Sequence, residues 1–359
     1  MRSNPAPHSP RPLSHRLPSV LVAAALALAA TISEAGPIGL VLPTDNDAIF
    51  SADPSQFYMY TNRNFEGVAS KPWQGGQYGF VRNQRRTSAG IVFTRLHEGI
   101  DIRPVRRDDS GNPLDEIRSI ADGTVVYVND SSTRSNYGKY MVVHHDWGDG
   151  PFFSLYAHVS EPVAQVKQQV KAGDTIARMG YTGAGINRER SHLHLELAFL
   201  MSDRFSDWYA QHYTSTNHHL IFNGINLNGI DIAALYLAHR ENPNISIPAF
   251  LAAHEEPYYK VLVPLSREPE ILRYYSWLQA KGGGPLLGAK SWEFTFAANG
   301  NPLAITPTRD RIDFPVVTWV KPSATDHAYH TAGRITGTGD SAQLTANGSR
   351  FIQLISGAF

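Results

Sequence analysis

Five side chains in this sequence have the types and spacings that metal-assisted or acid–base chemistry needs. His192 and His194 stand two positions apart in Ser191-His192-Leu193-His194-Leu195-Glu196-Leu197, a run that alternates polar and apolar residues. In a β-strand, residues two apart share a face, so both imidazoles look into one space while Leu193 and Leu195 look into the other. A His-x-His triplet by itself is more often a pair of surface or structural histidines. Upstream, Leu96-His97-Glu98-Gly99-Ile100-Asp101-Ile102 places an imidazole and a carboxylate four apart, where helix and strand alike bring them to one face. Alone, such a pair is ordinarily a surface hydrogen bond. His158 closes the apolar run Phe152-Phe153-Ser154-Leu155-Tyr156-Ala157. A catalytic zinc site takes three protein ligands and keeps one position open. These five candidates exceed that need by two, and hydrolysis also requires groups that move protons and steady a developing oxyanion.

The elements that must position these residues read as β-structure. Gly99 with the β-branched Ile100 and Ile102 predicts a loop running into a strand. Short β-branched or aromatic runs follow at Gly123 to Val128, Tyr140 to His145, Phe152 to His158, Thr175 to Met179 and His192 to Phe199, each bounded by Gly, Asn, Asp or Pro. Residues 36 to 95 are rich in Gly, Pro and aromatics, predicting short strands and ordered turns. Arg103 to Glu116 is a solvated loop with a turn at Asp108 to Pro113. Val166 to Gly180 has the spacing of a small barrel-sandwich module, without a modifiable lysine at a hairpin tip. Beyond Leu200 the pattern turns helical, with helices expected from Asp203 to Tyr213 under a Ser202 cap, and at Ile230 to Arg240, Pro248 to Glu255 and Glu268 to Ala280. Gly282-Gly283-Gly284 interrupts, and Ser291 to Phe296, Phe314 to Val320 and Arg350 to Ile355 read as β. The fold expected is a mainly β domain of antiparallel sheets over 36–205, followed by an α+β accessory region over 206–359. His218-His219, His327 and His330 are read as ordinary surface or core histidines.

Composition narrows the function. The chain has 359 residues, no cysteine, and 32 acidic residues against 32 Lys plus Arg. Neutrality without a basic stripe argues against nucleic acid. Absence of cysteine leaves His, Asp and Glu as the only metal ligands. Residues 1–35 read as an export signal: Arg2, Arg11 and Arg16 precede an apolar run from Leu17 to Ala30, and Ser33-Glu34-Ala35 offers a cleavage site. The run is short for a membrane span, and an uncleaved anchor is the lesser alternative. The compartment expected is a bacterial periplasm or the exterior, with no stable membrane insertion after cleavage. Asn244-Ile245-Ser246 and Asn347-Gly348-Ser349 fit the glycosylation triplet, which matters only in a eukaryotic secretory protein.

Over roughly residues 78 to 199 the sequence resembles the lysostaphin-like, or LytM-type, zinc metallopeptidases, which cut peptide bonds in bacterial peptidoglycan. Tyr78-Gly79-Phe80-Val81-Arg82 is similar to that family's aromatic-Gly-x-x-Arg segment, and HEGID, ADGTVVYV, SNYGKYMVVHH, SLYAHV, VKAGDTIARMGYTG and SHLHLEL follow in order. The resemblance implies a barrel-sandwich, duplicated hybrid-motif type of fold with an open groove, and one zinc ion. It implies His97, Asp101 and His194 as zinc ligands, and His158 and His192 as the catalytic histidines beside the activated water. Arg82 is a candidate substrate contact, packing being the alternative. Glu98 and Glu196, adjacent to ligands in sequence, are expected to point away from the metal. The implied activity is zinc-dependent endopeptidase action on peptidoglycan stem peptides. The alternatives are a non-catalytic LytM-like protein that binds the wall or activates another hydrolase, and a secreted protease of non-wall proteins.

Overall fold

The HxH run lies in the middle of a seven-stranded sheet. In the computed structural model, which describes residues 37–280 and 288–359, the strands of that sheet are short and antiparallel. A hairpin of β1 (Gly79–Thr87) and β2 (Gly90–His97) leads through a bend at Glu98-Gly99 into β3 (Ile100–Ile102). The sheet then takes β4 (Gly123–Asn129), β5 (Tyr140–Asp146), β6 (Pro151–Ala157), β7 (Gln169–Val170), β8 (Leu193–Leu200) and β9 (Leu227–Ile230), in the spatial order β7-β4-β5-β6-β8-β9. β3 pairs with the first half of β8, beside β9 on the same edge. A three-stranded sheet of Glu116–Arg118, Thr175–Arg178 and Glu161–Pro162 packs with it. The fold is mostly β with antiparallel sheets, as the runs of β-branched and aromatic residues predict.

Alternation on β8 sorts the sheet into two faces. Leu193, Leu195, Leu197 and Phe199 enter the large core with Ile100, Ile102, Tyr156 and Phe152. His194, Glu196, Ala198 and Leu200 look the other way, where Tyr140, Val142, Phe153 and Leu155 form a second, smaller core with Phe222 and Leu227. That second core is sealed by residues beyond 205, so part of the C-terminal half lies directly on the face that carries the histidines.

The remainder is α+β. Helices α1 (Phe205–His212), α2 (Ile232–Glu241) and α3 (Ile247–His254) form where the sequence predicts them. Asp231 and Ser246 cap α2 and α3 by accepting from Ala234 N and Ala249 N. Ser202 does not cap α1; its hydroxyl accepts from Arg204 N just before the helix. A four-stranded sheet follows, built from β10 (Tyr259–Val263), β11 (Ser291–Phe296), β12 (Pro302–Thr308) and β13 (Val316–Val320) in the order β12-β11-β10-β13.

Two expected elements take another form. Glu268 to Ala280 is not a helix but two single 3₁₀ turns, Glu270–Arg273 and Ser276–Leu278. The Tyr275 hydroxyl donates to Pro151 O and accepts from Leu200 N, while Trp277 Nε1 donates to Asp149 O, and these anchors pull the backbone out of a regular helix. Arg350 to Ile355 is not a strand but the core of α4 (Ala346–Ser356). Thr345 caps its start by accepting from Gly348 N, and Gly357 ends it in the left-handed region at φ 73°. The proposed export signal and the Gly282–Gly284 run lie outside the described residues.

Candidate metal centre

β-sheet register brings the five residues together. His194 on β8 stands opposite Asp101 on β3 in one direction and Ala157, the last residue of β6, in the other. His158 therefore emerges one residue past Ala157, and His192 one residue before β8. His97, at the end of β2, is carried over by the tight bend at Gly99, where a Cβ would fall 2.3 Å from Leu195 O. Only glycine allows the chain so close to β8. All five side chains are buried: His97 and His192 are 1 % exposed, Asp101 2 %, His194 5 % and His158 7 %.

The outer nitrogen of each histidine is tethered, which fixes what its inner nitrogen offers. His97 Nδ1, His158 Nδ1 and His192 Nδ1 donate to the carbonyls of Gln77, Thr182 and Arg190 at 2.7, 2.8 and 2.6 Å. A carbonyl only accepts, so these three rings carry a proton on Nδ1 and turn Nε2 inward. His194 is reversed: its Nε2 lies 2.8 Å from Glu196 Oε1, and Nδ1 faces the site. The two histidines of the HxH run thus use opposite nitrogens.

Three donor atoms converge at the spacing a metal requires. His97 Nε2, His194 Nδ1 and Asp101 Oδ1 are separated by 3.1, 3.0 and 3.2 Å. Ligand atoms ~2.0 Å from a tetrahedral zinc ion lie about 3.3 Å apart, so the set matches one face of such a tetrahedron. His192 Nε2 is farther from Asp101 Oδ1, at 3.4 Å. The rings of His158 and His192 lie 4.8 Å apart, and that of His158 is 5.9 Å from the ring of His194. His158 itself sits in the left-handed region at φ 61°, a strained position for a residue with a Cβ.

Electrostatics agree with a cation site. Burial lowers His194's proton affinity, but Asp101 and Glu196 outweigh it and raise the pKa to about 10. The position between two carboxylates demands positive charge, which a proton supplies and a divalent metal supplies in its place. Burial also works against ionised Asp101, yet His97, His192 and Arg82 hold its carboxyl well below the usual carboxylate range. Burial, reinforced by His192 and His194, keeps the His158 pKa well below the ordinary histidine value. His158 is neutral at pH 7.

Arg82 takes Asp101's second oxygen. Its Nη2 donates to Asp101 Oδ2 and lies 3.1 Å from His97 Nε2, while its Nε donates to Gly75 O. A quarter of the Arg82 side chain remains exposed. Glu196 departs from expectation: it does not point away but accepts from His194 and is fully buried. Its position two residues from His194 carried that signal, since residues i and i+2 share a strand face. The rings of His219, His327 and His330 stand in hydrogen bonds elsewhere, to Tyr127, Tyr258 and Thr325.

Residues 95–204 match Peptidase family M23. Over this segment the chain is similar to that family. All of the candidate residues except Arg82 fall within the segment. The chain is 33% identical over 103 residues to the Murein hydrolase activator NlpD of Escherichia coli, covering 29% of this chain and 23% of that protein. It is 30% identical over 125 residues to the cell division protein DipM of Caulobacter vibrioides, covering 34% of this chain and 18% of that one. The chain therefore spans under a quarter of the length of either relative. Among solved structures, the catalytic domain of the prophage-encoded M23 protein EnpA from Enterococcus faecalis aligns with 34% of this chain and 75% of its own at 24% identity, with a TM-score of 0.25.

Proposed function

We propose that the chain is an exported zinc-dependent endopeptidase that hydrolyses the peptide cross-links of bacterial peptidoglycan. The observation that carries this reading is the donor triangle of His97 Nε2, Asp101 Oδ1 and His194 Nδ1, with edges of 3.1, 3.0 and 3.2 Å. His97, Asp101 and His194 would hold a zinc ion there, which when bound would supply Lewis acidity for a scissile carbonyl and lower the pKa of water. The inward Nε2 atoms of His158 and His192 accept the proton of the attacking water, steady the developing oxyanion and return a proton to the leaving amine. Burial keeps His158 in the neutral form that can accept. Arg82 holds Asp101 in its orientation, and its exposed quarter is the part a substrate can meet. Residues 36–205 carry the chemistry and 206–359 act as the accessory region. Relatives described as envelope lipoproteins, such as outer membrane antigenic lipoprotein B of Haemophilus influenzae, support a periplasmic or extracellular place. Among the described residues no helix is long and apolar enough to cross a membrane.

The second reading is a non-catalytic protein that activates another wall hydrolase, favoured by the described role of the NlpD relative. The two readings part on metal and turnover. The purified protein is expected to hold about one zinc per molecule, and chelation is expected to abolish release of peptides from purified sacculi. A folded protein with no zinc and no cleavage would favour the activator reading. Mass spectrometry of the released fragments identifies the bond cut.

A further inference from the structure

The reading of His194 as a metal ligand has a continuation in the C-terminal half. Glu196 Oε1 receives two hydrogen bonds, one from His194 Nε2 at 2.8 Å and one from the Tyr137 hydroxyl at 2.6 Å. The carboxylate is fully buried, and its other oxygen, Oε2, has no partner among the described residues. A buried carboxylate in this state needs a nearby positive charge, and of its two hydrogen-bond partners only the His194 ring can carry one at neutral pH. The Tyr137 ring lies against that ring, with centroids 5.5 Å apart.

Gly224, well outside the M23 segment, closes the far side of Tyr137. A Cβ at Gly224 would fall 2.7 Å from the Tyr137 hydroxyl and 2.9 Å from its Cε2. Gly224 does not occupy the left-handed region, so its lack of a side chain is a matter of space. The Tyr137 hydroxyl is thereby confined between Gly224 and Glu196.

We propose that Glu196, Tyr137 and Gly224 form a positioning relay for the metal centre, through which the accessory region sets metal affinity. Glu196 holds the proton of His194 on Nε2 and leaves Nδ1 as the donor; Tyr137 fixes Glu196; Gly224 fixes Tyr137. Outer carboxylates of this kind orient a ligating histidine and raise its basicity, and losing one typically weakens metal binding by about 10–100-fold. None of the three touches the reacting atoms, so each is a positioning residue.

The test measures metal affinity instead of turnover. Zinc dissociation constants of the full chain are measured by competition with a chromophoric chelator, and the visible spectrum is recorded after loading with cobalt. Metal-free melting temperatures of all variants serve as the folding control. Glu196→Gln is expected to weaken zinc about 10–100-fold, and Tyr137→Phe and Gly224→Ala about tenfold, each with a shifted cobalt spectrum and a near wild-type metal-free melting temperature. If Glu196→Gln fails to fold, the isosteric Tyr137→Phe decides. Wild-type affinity and an unchanged cobalt spectrum in folded Tyr137→Phe and Gly224→Ala would overturn the relay. Failure of the wild-type protein itself to bind zinc would instead overturn the reading of the site.

Discussion

Asp101 divides its two oxygens between different tasks, Oδ1 facing three histidine nitrogens and Oδ2 engaged by Arg82. On the proposed reading, His97 and His194 share Oδ1 with the metal, while His192, at 3.4 Å from the same oxygen, serves the proton. His194→Ala removes a donor from the triangle and is expected to lose bound zinc. His192→Ala removes a ring beyond the triangle and is expected to keep zinc while turnover falls on the order of 10²–10⁴-fold. Metal analysis beside peptidoglycan turnover checks both, and equal metal loss would mean the ligand assignment is wrong. Arg82→Ala leaves Asp101 Oδ2 buried without its partner, so zinc affinity is expected to fall by about tenfold. Arg82→Lys does not restore it, because one ammonium cannot serve Asp101 and Gly75 O in the fork geometry of a guanidinium.

At the scale of elements, the central strands carry a second histidine of consequence, His145 on β5. Its Nδ1 donates to Asp122 O, its Nε2 lies 2.7 Å from Ser154 Oγ, and its ring stacks on Trp147. Burial lowers its pKa from 6.5 to about 4. The folded state therefore resists a proton that the unfolded chain accepts, and the stability this gives is present above pH 6.5 and lost as pH falls from 6.5 towards 4. The full loss is on the order of 3 kcal/mol. Denaturant unfolding across that window, with chelator present so that metal release adds nothing, is expected to show a shallower acid slope in His145→Asn than in wild type. An unchanged slope would remove His145 from the account.

The central strands were legible in sequence because each is a short β-branched or aromatic run closed by turn residues, and the HxH spacing maps directly onto a strand face. What was not legible lay where tertiary contacts decide. The run from Glu268 to Ala280 has helical spacing, but Tyr275 and Trp277 are claimed by the backbone of the main sheet. Arg350 to Ile355 looked like a strand because its caps, Thr345 and Gly357, stand outside the run. The proposed ligand set was implied by the family resemblance that the ordered motifs carry, whereas Gly224 near Tyr137 is contact information that no local pattern contains.

On the scale of the whole molecule, the line drawn between residues 205 and 206 passes between neighbouring strands of one sheet. β9 pairs with Leu197 to Leu200 of β8, and Phe222 and Leu227 cover Phe153, Leu155 and Ala198 on the face that carries His194. Asn226 reaches back to Ser202, and the Tyr275 hydroxyl bonds to both Leu200 N and Pro151 O. A chain ending at residue 205 would expose the edge of β8 together with a face built of Tyr140, Val142, Phe153 and Leu155. An unpaired apolar edge of that kind templates aggregation. The full chain from residue 37 is thus expected to unfold in one cooperative transition, and a chain of residues 37–205 to be aggregated or to bind a hydrophobic dye strongly. Scanning calorimetry of the first and solubility with dye binding of the second check this. If residues 37–205 were a soluble monomer with native-like zinc affinity, the C-terminal half would be dispensable to the fold, and the covering of the sheet by Phe222 and Leu227 would have no structural consequence.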